Sequence, residues 1–338
     1  MFKRHKIIMV LLILLTTVPV FSLTLKVGSV APRNSPWDKA LTEISSRWAE
    51  ASGGRVLLKI YPGGIAGGEA DMLRKVKVGA LDGVVLSSMG LNMIAPDLLI
   101  LTMPLIIKNK GELDYVMKKI DPTYERIMEE KRFKLIGWTM AGWMKIFSRN
   151  PVKYPDDLKK QKLGFTSGED VLIQILKNMG FHIVPSDTID WLSSLQSGRV
   201  DALLISPLIA AAYQVFTLAD NMLDYPISPL LGAIVLGERS WKKIPEKYHD
   251  EFLEIVKEVV ADLDVKSREL EDQAFQLLLE NGLTVQESTP EIEQAWDEVI
   301  KDIYGGTGVI GKIISRDVFE EVTGYTKEYR EMNGSGTN

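Results

Sequence analysis

Apolar and polar positions alternate along the chain in two rhythms, one of period two and one of helical spacing. "LTLKVGSVAP" (Leu23–Pro32) has the strand rhythm and ends in a loop. "SPWDKALTEISSRWAEASGG" then offers Ser35 as an N-cap, Pro36 at the first helical position, an amphipathic run and a glycine stop. "RVLLKIYP" alternates again, "GGEADMLRKVKVGALDG" predicts a helix, and "VVLSS" predicts the next strand. A helix is expected near Lys110–Lys131, and "FKLIGWTMAGWMKIFSRN" reads as two consecutive strands. "PVKYPDDLKK" reads as a proline-containing turn stretch that crosses between lobes. At about Lys162 the pattern restarts, with strand "KLGFT", helix "EDVLIQILKNMG", strand "HIVPS", helix "TIDWLSSLQSG" and strand "VDALLIS". "GAIVLGERSW" (Gly232–Trp241) looks like a strand running back, and Glu246 to Asn281 is a long helical segment.

Strands alternating with helices predict an α/β fold with a mainly parallel sheet. Two such units suggest lobe I over residues 23–150 plus about 232–262, and lobe II over 151–231 plus about 263–315. Residues 316–338 remain as a C-terminal helix and flexible tail. Open α/β units bind ligands outside the carboxyl ends of their strands. The loops after "VVLSS", "KLGFT" and "LLIS" are such ends, and they would meet in a cleft that closes by a hinge.

The first 22 residues stand outside this pattern. Lys3, Arg4 and Lys6 precede the apolar run "IIMVLLILLTTVPV", and "VFS" supplies small residues before Leu23, as in a cleavable secretory signal. The run is shorter than the ~20 residues of a spanning helix. The chain has no cysteine, which excludes disulfides, thiolate metal sites, a cysteine nucleophile and a lipid-modified cysteine after the leader. Loss of the leader takes the formal charge from −5 to about −8, and no basic stripe offers itself to nucleic acid. The expected location is the periplasm.

Catalytic chemistry is poorly represented. Beyond His5 in the leader, only His182 and His249 occur, and neither has a partner pattern for acid–base work or metal binding. There is no Gly-x-Ser-x-Gly elbow, and "YPGGIAGGEADML" fits neither a dinucleotide nor a phosphate loop. Asp156-Asp157 lies in a turn beside lysines, and Asp187 followed by Thr188 fits a helix cap. No enzyme, cofactor or metal is expected. "KLGFTSGEDVLIQIL" has the strand–loop–helix form that often receives an anion, yet it carries no cation between Gly164 and Leu176.

Four stretches resemble one family. "GGRVLLKIYPGGIAGGEADMLRKVKVGALDGVVLSS", "LLILTMPLIIKNKGELDYVM", "YPDDLKKQKLGF" and "LSSLQSGRVDALLISPL" are similar, in order, to segments of DctP-type solute-binding proteins of TRAP (tripartite ATP-independent periplasmic) transporters. The resemblance implies a two-lobed periplasmic-binding-protein fold with a hinged inter-lobe cleft and a long spanning helix. It implies a small-molecule ligand, delivery to a membrane permease and, in some systems, a helical-repeat (TPR-type) partner. Most members hold a carboxylate through an arginine in the central strand, and that position is Gly164 here. A second basic position falls on Met144, and a polar pair falls near Leu204 and Ile205. Glycine and methionine cannot replace a bidentate arginine.

The expected site is therefore an oily slot. Met144, Phe165, Leu204, Ile205, Trp143, Trp191 and Met89 would line it, with Thr166, Ser88 and Ser206 orienting a hydrophobic or amphipathic guest. The alternative is an organic carboxylate reached by Arg149, Arg199 or Arg33, or by Lys145 after a one-residue slip that would turn the strand's faces over.

Overall fold

The computed structural model describes residues 22–165, 170–186, 190–306 and 309–334. The expected leader, save Ser22, therefore lies outside the described residues, as do Thr166, the Asp187-Thr188 cap and the end of the tail. Nine strands form one sheet: β1 (Leu23–Ser29), β2 (Val56–Tyr61), β3 (Gly83–Ser87), β4 (Phe133–Ser148), β5 (Lys162–Phe165), β6 (His182–Pro185), β7 (Ala202–Ile205), β8 (Asn221–Gly237) and β9 (Thr284–Glu287). Their order is β2-β1-β3-β8-β4-β7-β5-β6, with β9 on β8. β1 pairs in parallel with β2 and β3, and β5 pairs in parallel with β6 and β7. Each of these triplets is the core of one half of the molecule.

The long strands β4 and β8 run antiparallel to each other and belong to both halves. β3 pairs with Gly232–Leu236 of β8, whereas β7 pairs with Lys145–Ser148 of β4. The crossing between halves thus runs through β4 and β8, not through "PVKYPDDLKK", which instead holds a short helix at Pro155–Lys159. The expected pair of strands over Phe133–Ser148 is a single one. Gly137 and Gly142 fall at the register shifts Leu135/Gly137 and Met140/Trp143, and with a third at Met144/Ile146 these bend the strand without ending it.

The helices are α1 (Pro36–Ala51), α2 (Glu69–Lys77), α3 (Ser88–Ile94), α4 (Lys110–Glu130), α5 (Pro155–Lys159), α6 (Asp170–Asn178), α7 (Trp191–Gln196), α8 (Pro207–Ala212), α9 (Glu238–Trp241), α10 (His249–Glu280), α11 (Pro290–Gly306) and α12 (Arg316–Gly334). α1 starts as its sequence requires, with the Ser35 hydroxyl accepting the Asp38 N–H at 3.2 Å. The apolar run Pro96–Thr102 is a 3-10 helix.

The 32 residues of α10 extend about 48 Å at 1.5 Å each, enough to span both halves. Near its start, Phe252, Val256 and Val259 pack into the first half, where the Phe252 ring stacks on Trp48 at 4.3 Å. Near its end, Leu278 packs with Phe147, Leu203 and Val215 of the second half. Between these anchors the inward stripe turns polar at Asp264, Ser267 and Glu271. Among the described residues no helix is long and apolar enough to cross a membrane.

Candidate functional site

The carboxyl ends of β3, β5 and β7 converge on a cavity of about 70 Å³ between the halves. The first half contributes Ser88 and Asn92 of α3, with Leu99, Thr102 and Pro104 from the segment after it. The second half contributes Gly164, Phe165, Leu172, Trp191, Leu203 and Leu204. Met144 of β4 and Ser228 of β8 close the floor where the strands cross. None of these residues carries a charge.

Local structure fixes each group. Glu69 of α2 accepts the Ser87 N–H at 2.6 Å and the Ser87 hydroxyl at 3.0 Å, which holds the turn from β3 into α3 and so sets Ser88. Burial pushes the Glu69 carboxyl up, and these hydrogen bonds offset part of that. Ser88 and Asn92 are one helical turn apart, so both look into the cavity from the same face. The Asn92 Oδ1 is buried with no hydrogen-bond partner among the described residues. A buried acceptor left unpaired costs about 1–3 kcal/mol, so this atom is placed to accept a hydrogen bond from a donor in the cavity. Tyr304 donates to the Pro104 carbonyl at 2.7 Å and fixes the opposite wall.

At the apolar end, the Trp191 indole N–H donates to the Ser186 carbonyl at 3.2 Å, and its ring meets Tyr213 edge-on at 5.8 Å. Phe165 and Leu204 form a partition. Behind them lies a second cavity of about 50 Å³, lined only by apolar side chains that include Ile146, Leu163, Phe181 and Trp296. Gly164 has no free space beside it. A Cβ there would sit 2.7 Å from Leu203 Cδ2 and 3.2 Å from Val200 Cγ1, so leucine and valine fill the place of a larger side chain.

Of the residues expected from sequence, Ser88, Met144, Phe165, Trp191 and Leu204 meet around this cavity. Four others are placed elsewhere or beside it. Trp143 faces the opposite side of β4, because the bulge between Met140 and Trp143 decides which neighbour turns forward. Ile205 is buried among Phe147, Leu195 and Val215, on the alternate face from Leu204. Ser206 is the N-cap of α8, its hydroxyl accepting the Ile209 N–H at 3.3 Å. Met89 is half-buried on α3 but not at the cavity wall.

The cations weighed as alternatives also lie away from it. Arg199 donates to the Pro185 carbonyl at 2.8 Å, Arg33 is exposed, and Arg149 packs beside Gly198. Lys145 is bound to Asp224 on the far side of the sheet. Asn92, Thr102, Leu172 and Ser228 were not singled out by sequence. The Ser-Pro pair at 206–207 repeats the Ser35-Pro36 cap and could have assigned Ser206 correctly. Among the described residues, no three His, Cys, Asp or Glu side chains group as metal ligands.

Residues 27–307 match the DctP family, described as bacterial extracellular solute-binding protein, family 7. A solute-binding protein of Chromohalobacter salexigens is 23% identical over 271 residues, which is 77% of this chain and 77% of that one. Two further curated relatives are matched over only 53% and 55% of their own lengths. A solved TRAP periplasmic solute-binding protein from Chromohalobacter salexigens, with bound d-glucuronate, superposes with a TM-score of 0.79 at 21% identity, covering 90% of this chain and 99% of that one. Another, from Desulfovibrio salexigens with bound orotic acid, gives 0.78 at 16% identity, covering 91% and 99%. The fold is thus the two-lobed periplasmic-binding-protein architecture with a cleft between lobes and a long spanning helix. The chain belongs to the DctP-type solute-binding proteins of TRAP transporters.

Proposed function

We propose that this solute-binding protein captures a small, uncharged and mainly apolar molecule between its lobes and delivers it to a TRAP permease. The carrying observation is the Gly164 position. There the side chains of Leu203 and Val200 take up the space, and no lysine or arginine lines the cavity among the described residues. A carboxylate placed against such walls would be desolvated without a partner, at a cost of several kcal/mol. A neutral guest meets no such cost. Burying an apolar group the size of a medium side chain contributes about 1.5–3 kcal/mol, and Met144, Phe165, Leu172 and Trp191 offer that burial. Its polar end would lie at Ser88, Asn92 and Thr102, with a donor for Asn92.

A carboxylate ligand is the competing reading, favoured by the glucuronate and orotate of the solved relatives. It requires Arg149, Arg199 or Arg33 to leave its present contacts and enter the cavity. Export as a cleaved periplasmic protein, lobe closure by bending at β4 and β8, and cooperation with a helical-repeat (TPR-type) partner complete the proposal. No catalytic step is assigned.

Calorimetric titration tests the ligand class. Neutral aliphatic and aromatic alcohols and amides are expected to bind, and d-glucuronate and orotate are expected not to. Tight binding of either acid, lost in Arg149→Ala or Arg199→Ala, would overturn the reading.

A further inference from the structure

A third cavity, of about 390 Å³, lies behind the crossing strands, under the polar middle of α10. Glu271 is one of its lining residues. This carboxylate accepts the Trp143 backbone N–H and rests against the left-handed Gly142 (φ 96°), where a Cβ would stand 1.9 Å from Oε2. One helical turn earlier, Ser267 also lines the cavity. It is only 6% exposed, and its hydroxyl has no hydrogen-bond partner among the described residues. The Trp143 and Phe275 side chains supply aromatic walls, and the Phe275 ring already carries the Lys145 ammonium at 5.6 Å from its centroid.

Among the described residues no cation forms an ion pair with this carboxylate, because those nearby are engaged elsewhere. From β4, Lys145 is bound to Asp224 of β8. Lys108, just before α4, is bound to Asp297 of α11. Lys110 of α4 is bound to Asp114 and reaches Asp264 of α10 at 3.6 Å. On α10 itself, Arg268 lies exposed at the rim with its Nε on the Asp264 carbonyl, and Asp272 adds negative charge next to Glu271. Burial and Asp272 push the Glu271 carboxyl up to about 7, and Lys145 only partly opposes this. A half-buried carboxylate, an unpaired buried hydroxyl and aromatic faces together form the chemistry that recognises an ammonium group.

We propose that the cavity beneath the spanning helix is a second binding site, for a small organic cation whose primary ammonium is held by Glu271 and Ser267 against the Trp143 and Phe275 rings. The site is separate from the inter-lobe cavity and does not depend on the ligand class assigned there. An ammonium bound to Glu271 bridges α10 to the bulge of β4, so its occupancy stiffens the segment where the two halves join.

The test is calorimetric titration of the full chain with n-butylammonium chloride at pH 8 and pH 6, with n-butanol as the uncharged control. Binding of the amine and not of the alcohol is expected, about tenfold weaker at pH 6 as the carboxyl is protonated. Glu271→Gln should lower affinity at least about tenfold at pH 8 and abolish the pH dependence, and Ser267→Ala should lower it about fivefold. Thermal melts confirm that both variants fold, and Ser267→Ala keeps the test alive if Glu271→Gln does not. A crystal structure of the complex should place the amine nitrogen within about 3.2 Å of Glu271. Absence of amine binding, equal affinity in Glu271→Gln, or an amine found between the lobes would overturn the proposal.

Discussion

Trp143 and Met144 are neighbours on β4, yet they look into different cavities. Met144 faces a small space between the halves whose lining has no charged side chain among the described residues. Trp143 faces a larger one behind the sheet, bordered by Asp264, Glu271, Asp272, Arg268 and three lysines. The contrast follows from what covers each side. In front, two hydrophobic cores meet and exclude charge. Behind, α10 is anchored by apolar residues at its ends and leaves a polar gap over the crossing strands. Binding by exclusion from water suits the front, and electrostatic pairing suits the back.

The strongest way to break this comparison is to charge the front. Gly164→Arg should destabilise the protein by about 3 kcal/mol or more, because the guanidinium must displace Leu203 and Val200 without a partner. Denaturant unfolding measures it, and adding Leu203→Ala should recover part of the loss by opening space. An unchanged midpoint would mean that the second half repacks freely around a cation.

Removing charge from the back should act in the opposite sense. The folded Glu271 carboxyl sits near 7, above its ordinary value of 4.5, so its contribution to stability is full below about 4.5 and is lost as pH rises through 7. Glu271→Gln, which keeps an acceptor for the Trp143 N–H, should therefore stabilise the fold at pH 8 by about 2–3 kcal/mol and have little effect at pH 4.5. Thermal melts at the two pH values read the difference. Equal shifts at both would assign the effect to packing.

Two smaller effects sharpen the front. Asn92→Ala should weaken a ligand carrying a donor about five- to tenfold and leave one without a donor unaffected. Raising sodium chloride from about 0.05 to 0.5 M should change front-site affinity by less than about twofold, because no fixed charge is screened there. A steep salt dependence in titrations would indicate a cation in the cavity.

Much of the scaffold was legible because local chemistry and tertiary structure agree. Ser35-Pro36 starts α1, the alternation of "RVLLKIYP" gives β2, and the periodic run to Glu280 gives α10. The strand expected from Gly232 begins at Asn221, and Pro226 and Pro229 lie in the part that the sequence pattern does not show as strand. They are accommodated where its register with β4 is irregular, between Met140 and Ile146. The same irregularity hid the front–back assignment of Trp143 and Met144, since a bulge changes side-chain parity and leaves no mark in composition. Asn92 went unread because "SMGLNMI" has no amphipathic rhythm, and its role follows only from the Oδ1 being buried without a partner. The resemblance puts Gly164 where most members carry an arginine. That Leu203 fills the space required the paired strands β5 and β7.

The most direct measurement is a crystal structure of the protein with whatever small molecule it retains through gentle purification, identified in parallel by native mass spectrometry. The account predicts an uncharged, mostly apolar compound against Met144, Phe165 and Trp191, with a donor group on Asn92. An organic acid whose carboxylate is contacted by an arginine or lysine side chain would contradict it.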